Sequence, residues 1–127
     1  MVETVLDASA LIAFLRNEPG ADKVAAVLAS SCMSAVNLGE TIGKLVEYGK
    51  PLDEVAYQIE RLHIAIIPFD GEQAKILASL WKITRPVGLS LADRACLALG
   101  LKRQLPVMTT DRDWSKVDVG VKVEQIR

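Results

Sequence analysis

The stretch Glu3-Thr4-Val5-Leu6-Asp7-Ala8-Ser9-Ala10-Leu11-Ile12-Ala13-Phe14-Leu15 decides the fold. It lies across the end of a β-branched and apolar run, Val2–Leu6, meets one carboxylate, Asp7, and passes at once into helical spacing at Leu11, Ile12 and Leu15. A short apolar strand that feeds a helix directly opens a β-α unit of a parallel sheet. An acid at that junction lies at the carboxyl end of a buried strand, the edge where open α/β sheets keep their ligand sites. Three further acids occupy comparable junctions: Glu40, Asp93 and Asp111.

Outward from that stretch, strands and helices alternate. Asp22–Ala29 has Val24, Val27 and Leu28 on one side and reads as a second helix, after a stop at Glu18-Pro19-Gly20. Ser30–Ser34 reads as a brief buried strand. Ala35–Gly49 reads as a helix with Ser34 as its N-cap, and Leu52–Leu62 as another. Ile64–Pro68 is a strand, and Asp70 starts a helix that runs to about Lys82. Thr84–Leu89, with Pro86 and Gly88, reads as a loop; Ser90–Arg103 is a strongly apolar helix; Leu105–Thr109 is a strand. Asp111–Lys116 reads as a polar turn, and the alternation of Val119, Val121 and Val123 predicts an edge strand over Val119–Ile126. The pattern predicts one α/β domain over residues 1–127, with a mainly parallel sheet covered by helices on both faces and right-handed crossovers.

Composition narrows the function classes. Of 127 residues, 50% are hydrophobic and 24% charged, as in a compact folded chain rather than a disordered one. No apolar run approaches the ~20 residues of a membrane helix. The start carries Glu3 and Asp7 where a secretory leader carries basic residues, so a cytoplasmic location is expected. Cys32 and Cys96 sit in apolar surroundings and read as free buried thiols. The formal net charge of −1 neither announces nor excludes a nucleic-acid partner, because a carboxylate cluster holding a cation is locally far less negative.

Each acid has a plain structural role open to it. Asp7 suits a helix N-cap, Glu40 follows Asn37 at capping-box spacing, Asp93 follows Ser90 at the same spacing, and Asp111 fits a turn. Together they say more. In a parallel sheet, strand ends and following helix starts share one edge, so adjacent strands carrying Asp7 and Asp111 would bring all four together. Like charges so placed require compensation, and an all-oxygen donor set selects Mg²⁺ or Mn²⁺ over zinc. Such a centre suits in-line hydrolysis of a phosphodiester. Ser9, Asn37, Ser90, Thr109 and Asp113 are the candidate polar helpers; Arg94 and Arg112 would either engage phosphates or stand solvated.

Other chemistries are disfavoured. The lone histidine, His63, at a helix-to-strand junction, reads as structural, and one histidine cannot run a two-histidine ribonuclease mechanism. A Ser-His-Asp triad, a phosphate-binding P-loop and a dinucleotide fingerprint are not supported by the sequence. Trp81 and Trp114 read as core or rim residues.

Four segments, Val5–Leu11, Ser34–Glu40, Gly88–Leu99 and Val107–Trp114, resemble PIN-domain nucleases, and among them the VapC-type toxins of toxin–antitoxin pairs. The resemblance implies a three-layer α/β/α sandwich with strand order near 3-2-1-4-5 and a Mg²⁺- or Mn²⁺-dependent endoribonuclease. It places Asp7, Glu40, Asp93 and Asp111 on the family's acidic positions and Ser9, Thr109 and Asp113 on accessory ones. It also implies an RNA substrate, a homodimer and a VapB-like antitoxin. Gly39 stands where the family more often has Ala. Two other readings remain: a Toprim-like metal site built on Asp111-Arg112-Asp113, and a non-catalytic RNA- or protein-binding module on the same fold.

Overall fold

A computed structural model describes the whole chain, residues 1–127. Its strands are β1 (Thr4–Leu6), β2 (Ser31–Ser34), β3 (Ala65–Ile67), β4 (Val107–Thr109) and β5 (Val123–Gln125). They form one five-stranded sheet in the order β3-β2-β1-β4-β5, every pair parallel. The expected order 3-2-1-4-5 is therefore observed, with β1 central and β4 beside it. The helices are α1 (Ala8–Leu15), α2 (Ala21–Val27), α3 (Ala35–Glu47), α4 (Leu52–Glu60), α5 (Gly71–Ser79), α6 (Trp81–Thr84) and α7 (Leu91–Arg103).

Strand alternation sorts the core into two layers. Leu6, Met33 and Met108 face Leu11, Leu45, Val55 and Ile59, which belong to α1, α3 and α4. Val5, Cys32 and Val107 face the opposite way, against Cys96, Leu97 and Leu99 of α7 and the buried Trp114. Helices thus cover both faces of the sheet. Both cysteines are free and buried. α7 comes so close to β4 that a Cβ on Gly100 would lie 2.7 Å from Val107 Cγ1.

The structure corrects the sequence reading in four places. The helix expected from Asp70 to Lys82 breaks at Leu80, whose N–H bonds back three residues to Leu77 O (3.1 Å), dividing it into α5 and α6. The expected loop holds a 3₁₀ turn over Arg85–Val87, ended by Gly88 at φ +73°. The polar turn after β4 is likewise a 3₁₀ helix, Arg112–Lys116. β5 is shorter than expected because Asp118 Oδ1 accepts the Gly120 N–H (3.0 Å), which folds that segment into a turn. His63, which is exposed, takes a left-handed conformation (φ +55°) at the exit from α4. No helix is long and apolar enough to cross a membrane.

Candidate active site

Asp7 ends β1 and is the N-cap of α1. Its own N–H continues the ladder to Met108 O of β4 (3.1 Å), which sets its side chain beside Thr109. Asp7 Oδ1 accepts the Ala10 N–H (2.8 Å) and Oδ2 accepts the Thr109 hydroxyl. The Ser9 hydroxyl donates between the two oxygens, at 2.7 and 2.9 Å. Ser9 Oγ in turn accepts the Thr110 N–H, and Thr109 Oγ1 accepts the Asp111 N–H, both at 3.0 Å. Both hydroxyl protons are thereby committed to Asp7, and both hydroxyl oxygens hold the backbone that leads to Asp111. The ends of β1 and β4 are one hydrogen-bonded unit.

Asp7 is 3% exposed. Burial pushes its carboxyl up to about 6, against the lowering effect of the Thr109, Ala10 and Ser9 bonds; the charge of Asp93 raises it further. Asp93 lies in the first turn of α7, where it forms a full capping box with Ser90. The Ser90 N–H reaches Asp93 Oδ2 (2.8 Å) and the Asp93 N–H reaches Ser90 Oγ (3.1 Å). The Asp93 carboxyl is also raised, by burial first and then by the Asp111 charge, and Lys44 opposes the rise. Asp111 caps the 3₁₀ helix by accepting the Asp113 N–H at Oδ1 (2.8 Å). Glu40 lies within α3, and its Oε2 is 3.7 Å from Lys44 Nζ. The buried Cys96 thiol is pushed up by its own burial first, and the charges of Asp7, Asp93 and Glu40 act in the same direction.

The helpers divide. Ser9, Thr109 and Ser90 bond directly to the acids. Asn37 is fully buried and donates Nδ2 to Ala92 O (3.0 Å), the residue before Asp93. Asp113 turns to Lys116 (2.7 Å). Arg112 is exposed. Arg94 corrects the sequence reading, for it is neither solvated nor presented to a ligand. It is 4% exposed, its Nε donates to Thr84 Oγ1 (2.7 Å), and its guanidinium lies 4.0 Å from the Trp81 ring centre. Trp81 is half-exposed and Trp114 fully buried. Lys44 escaped the sequence reading, although its spacing of four from Glu40 on a helix was the available signal.

The family profile described as "PIN domain" matches residues 4–120. The chain belongs to the PIN-domain family. Among solved structures, this PIN domain is similar to a DNA-bound VapBC from Salmonella typhimurium, with TM-score 0.77, 16% identity and 100% of each chain covered. It is similar to FitAcB from Neisseria gonorrhoeae at TM-score 0.73 and 22% identity, covering 95% of this chain and 96% of that one. A third similar structure is VapC20 of Mycobacterium tuberculosis, described as a Sarcin-Ricin loop cleaving toxin, at TM-score 0.72 and 17% identity, covering 90% and 94%. No curated protein sequence matches the chain.

Within this PIN domain, the donor chemistry suits a hard divalent cation. Asp93 Oδ1, Asp111 Oδ2 and Glu40 Oε1 take part in none of the hydrogen bonds or ion pairs that hold their partner oxygens. As the side chains stand, no three acidic, histidine or cysteine groups are close enough to share one ion. Ligation would therefore draw the free oxygens of Glu40, Asp93 and Asp111 inward around the fixed Asp7.

Proposed function

We propose that this chain is one PIN domain across residues 1–127 that works as a divalent-metal-dependent endoribonuclease, with Mg²⁺ or Mn²⁺ as its cofactor. Its role is the toxin of a toxin–antitoxin pair, acting as a cytoplasmic homodimer and restrained by a VapB-like antitoxin. The observation that carries this reading is the joining of Asp7 and Asp111 at the paired ends of β1 and β4, with the charge of Asp93 acting on Asp7. Membership of the PIN family supports a nuclease. Similarity to VapBC and FitAB assemblies supports the antitoxin, and similarity to a toxin described as cleaving the Sarcin-Ricin loop supports RNA as substrate.

Glu40, Asp93 and Asp111, with Asp7 at their centre, are the residues that would hold the metal. When bound, the ion would polarise a phosphate oxygen and lower the pKa of a water. The chain's own contribution is orientation. Asp7 is fixed by four donor contacts from three residues, Ser9, Ala10 and Thr109, and the capped Asp93 and Asp111 have limited freedom. Lys44, 3.7 Å from Glu40, adds a positive charge on the α3 side of the acids.

The two competing readings receive less support. Asp113, which a Toprim-like site would need, bonds through its carboxylate to the exposed Lys116 (2.7 Å) and to none of the residues that hold Asp7. A pure binding module has no need to place Asp93 where its charge acts on the buried Asp7 and the Asp111 charge acts on Asp93 in turn.

The test is cleavage of a panel of structured and single-stranded RNAs in Mn²⁺, Mg²⁺ or EDTA, with Asp93→Asn as the contamination control. Cleavage that needs the metal and disappears in the variant is expected. Equal cleavage by wild type and variant, or no Mn²⁺ affinity in the wild type, would overturn the reading.

A further inference from the structure

We propose that Asn37 is a positioning residue whose buried amide sets the spacing between the helix that carries Glu40 and the turn that carries Asp93. This inference rests on the metal-dependent reading of the acidic site. Asn37 precedes Glu40 by three residues on α3, so the two side chains project from neighbouring positions of one helix. Its Nδ2 donates to Ala92 O at 3.0 Å, across to the first turn of α7 and directly before Asp93. A carbonyl oxygen can only accept, so the orientation of the amide is fixed and Oδ1 points elsewhere.

That Oδ1 is buried and has no donor. The nearest hydroxyl on the helix, Thr41, is not available to it, because Thr41 Oγ1 already donates to the Asn37 backbone carbonyl (2.8 Å). A buried acceptor without a partner destabilises a fold, and a leucine of nearly the same shape would remove that cost. The bond that Nδ2 makes is thus offset by the acceptor left without a donor, and the amide's net contribution to stability is small. What the amide alone supplies is a directional bond between two elements that each carry an acid. Without it, α3 and α7 still pack, but the Glu40-to-Asp93 spacing is set by apolar contact only, which specifies position less sharply.

The molecule contains its own control. Gln73 is 1% exposed, donates Nε2 to a backbone carbonyl, that of Pro68 (3.0 Å), and leaves Oε1 unpaired. It has the same chemistry and the same cost, but it lies on α5, which carries none of the four acids.

The experiment compares wild type, Asn37→Leu and Gln73→Leu by Mn²⁺ affinity from electron paramagnetic resonance, by kcat and KM for RNA cleavage, and by melting temperature in EDTA. For Asn37→Leu, Mn²⁺ affinity is expected to fall by about 10- to 100-fold, the usual effect of losing a residue that orients a metal ligand. Its kcat falls with it, KM changes little, and the melting temperature in EDTA is equal or higher. Gln73→Leu keeps the wild-type affinity and kcat. The inference is overturned if Asn37→Leu binds Mn²⁺ and cleaves as wild type does, or if Gln73→Leu loses as much. Should Asn37→Leu fail to fold, Asn37→Ala is judged by the same criteria. A wild type that binds no Mn²⁺ would overturn the metal-dependent reading itself, and this inference with it.

Discussion

Replacing Asp7 with asparagine is expected to stabilise the metal-free protein while abolishing cleavage. The magnitude follows from the carboxyl's displacement from 3.8 to about 6. Between those values the folded state holds a proton that the unfolded state releases, so stability falls as pH rises through about 4 to 6 and is level above. The shift of roughly 2 units corresponds to about 3 kcal/mol at neutral pH, at about 1.4 kcal/mol per unit. Asparagine avoids that cost and keeps an oxygen for the Ala10 and Ser9 donors, but its NH₂ meets a Thr109 hydroxyl already placed to donate. The gain is therefore smaller than the full shift: about 1–2 kcal/mol, or some 4–8 °C in melting temperature for a chain of this size. The assay is thermal and urea unfolding of both proteins in EDTA from pH 4 to pH 8. The variant should melt higher at pH 7.5, and the advantage should shrink to nothing or reverse near pH 4. A variant less stable at pH 7.5, or an advantage that does not depend on pH, would refute the reasoning. With Mn²⁺ present the sign reverses for the wild type, because only the ionised carboxylate binds metal, and affinity should rise with pH through about 6.

Gly100→Ala should cost about 1–3 kcal/mol in urea unfolding, because the new methyl would lie 2.7 Å from Val107 Cγ1 and 3.2 Å from Leu105 O at the seam between α7 and β4. Arg94→Lys should lower stability by about 1–3 kcal/mol, since an ammonium reproduces neither the Nε bond to Thr84 nor the flat stack on Trp81. In Arg94→Gln, which removes the charge, the salt dependence of RNA binding should stay as in wild type; a shallower slope would return Arg94 to the phosphate-contacting role.

Legibility in the sequence followed the range of each interaction. Asp7 was readable because its determinants are local: an apolar strand, an acid and a helical pattern within about a dozen residues. Ser90 with Asp93 was readable for the same reason, as capping spacing requires only four residues. Strand order came from the family resemblance, since nothing local places β4 rather than β3 beside β1. Arg94 was misread because its environment lies outside its own helix. Thr84, ten residues earlier, accepts its Nε, and the break at Leu80 places Trp81 against its guanidinium. No periodicity in Leu91–Arg103 carries that information. The shortened β5 had a local signal, Asp118 followed two residues later by Gly120, which the valine alternation outweighed.

The structural and chemical roles weighed for each acid are not alternatives. Asp7, Asp93 and Asp111 each accept a backbone N–H at the start of a helix or 3₁₀ turn, as a cap does. In Asp93 and Asp111 that bond uses one oxygen and leaves the other without a hydrogen-bond partner. A cap is thus also an orienting device, because it fixes the carboxylate's rotamer before any ligand arrives and reduces the entropy lost on binding. Asp7 differs, for its two oxygens are both engaged and its neighbours' hydroxyl protons are committed to it. It holds the ends of β1 and β4 together with a charge that burial resists. The cost of burying charge that a bound cation would offset therefore falls on Asp7, and the oxygens without hydrogen bonds that would join it on that cation are those of its neighbours. Capping and ligation are two uses of the same side chains, and the sheet edge where helices begin is where both become possible.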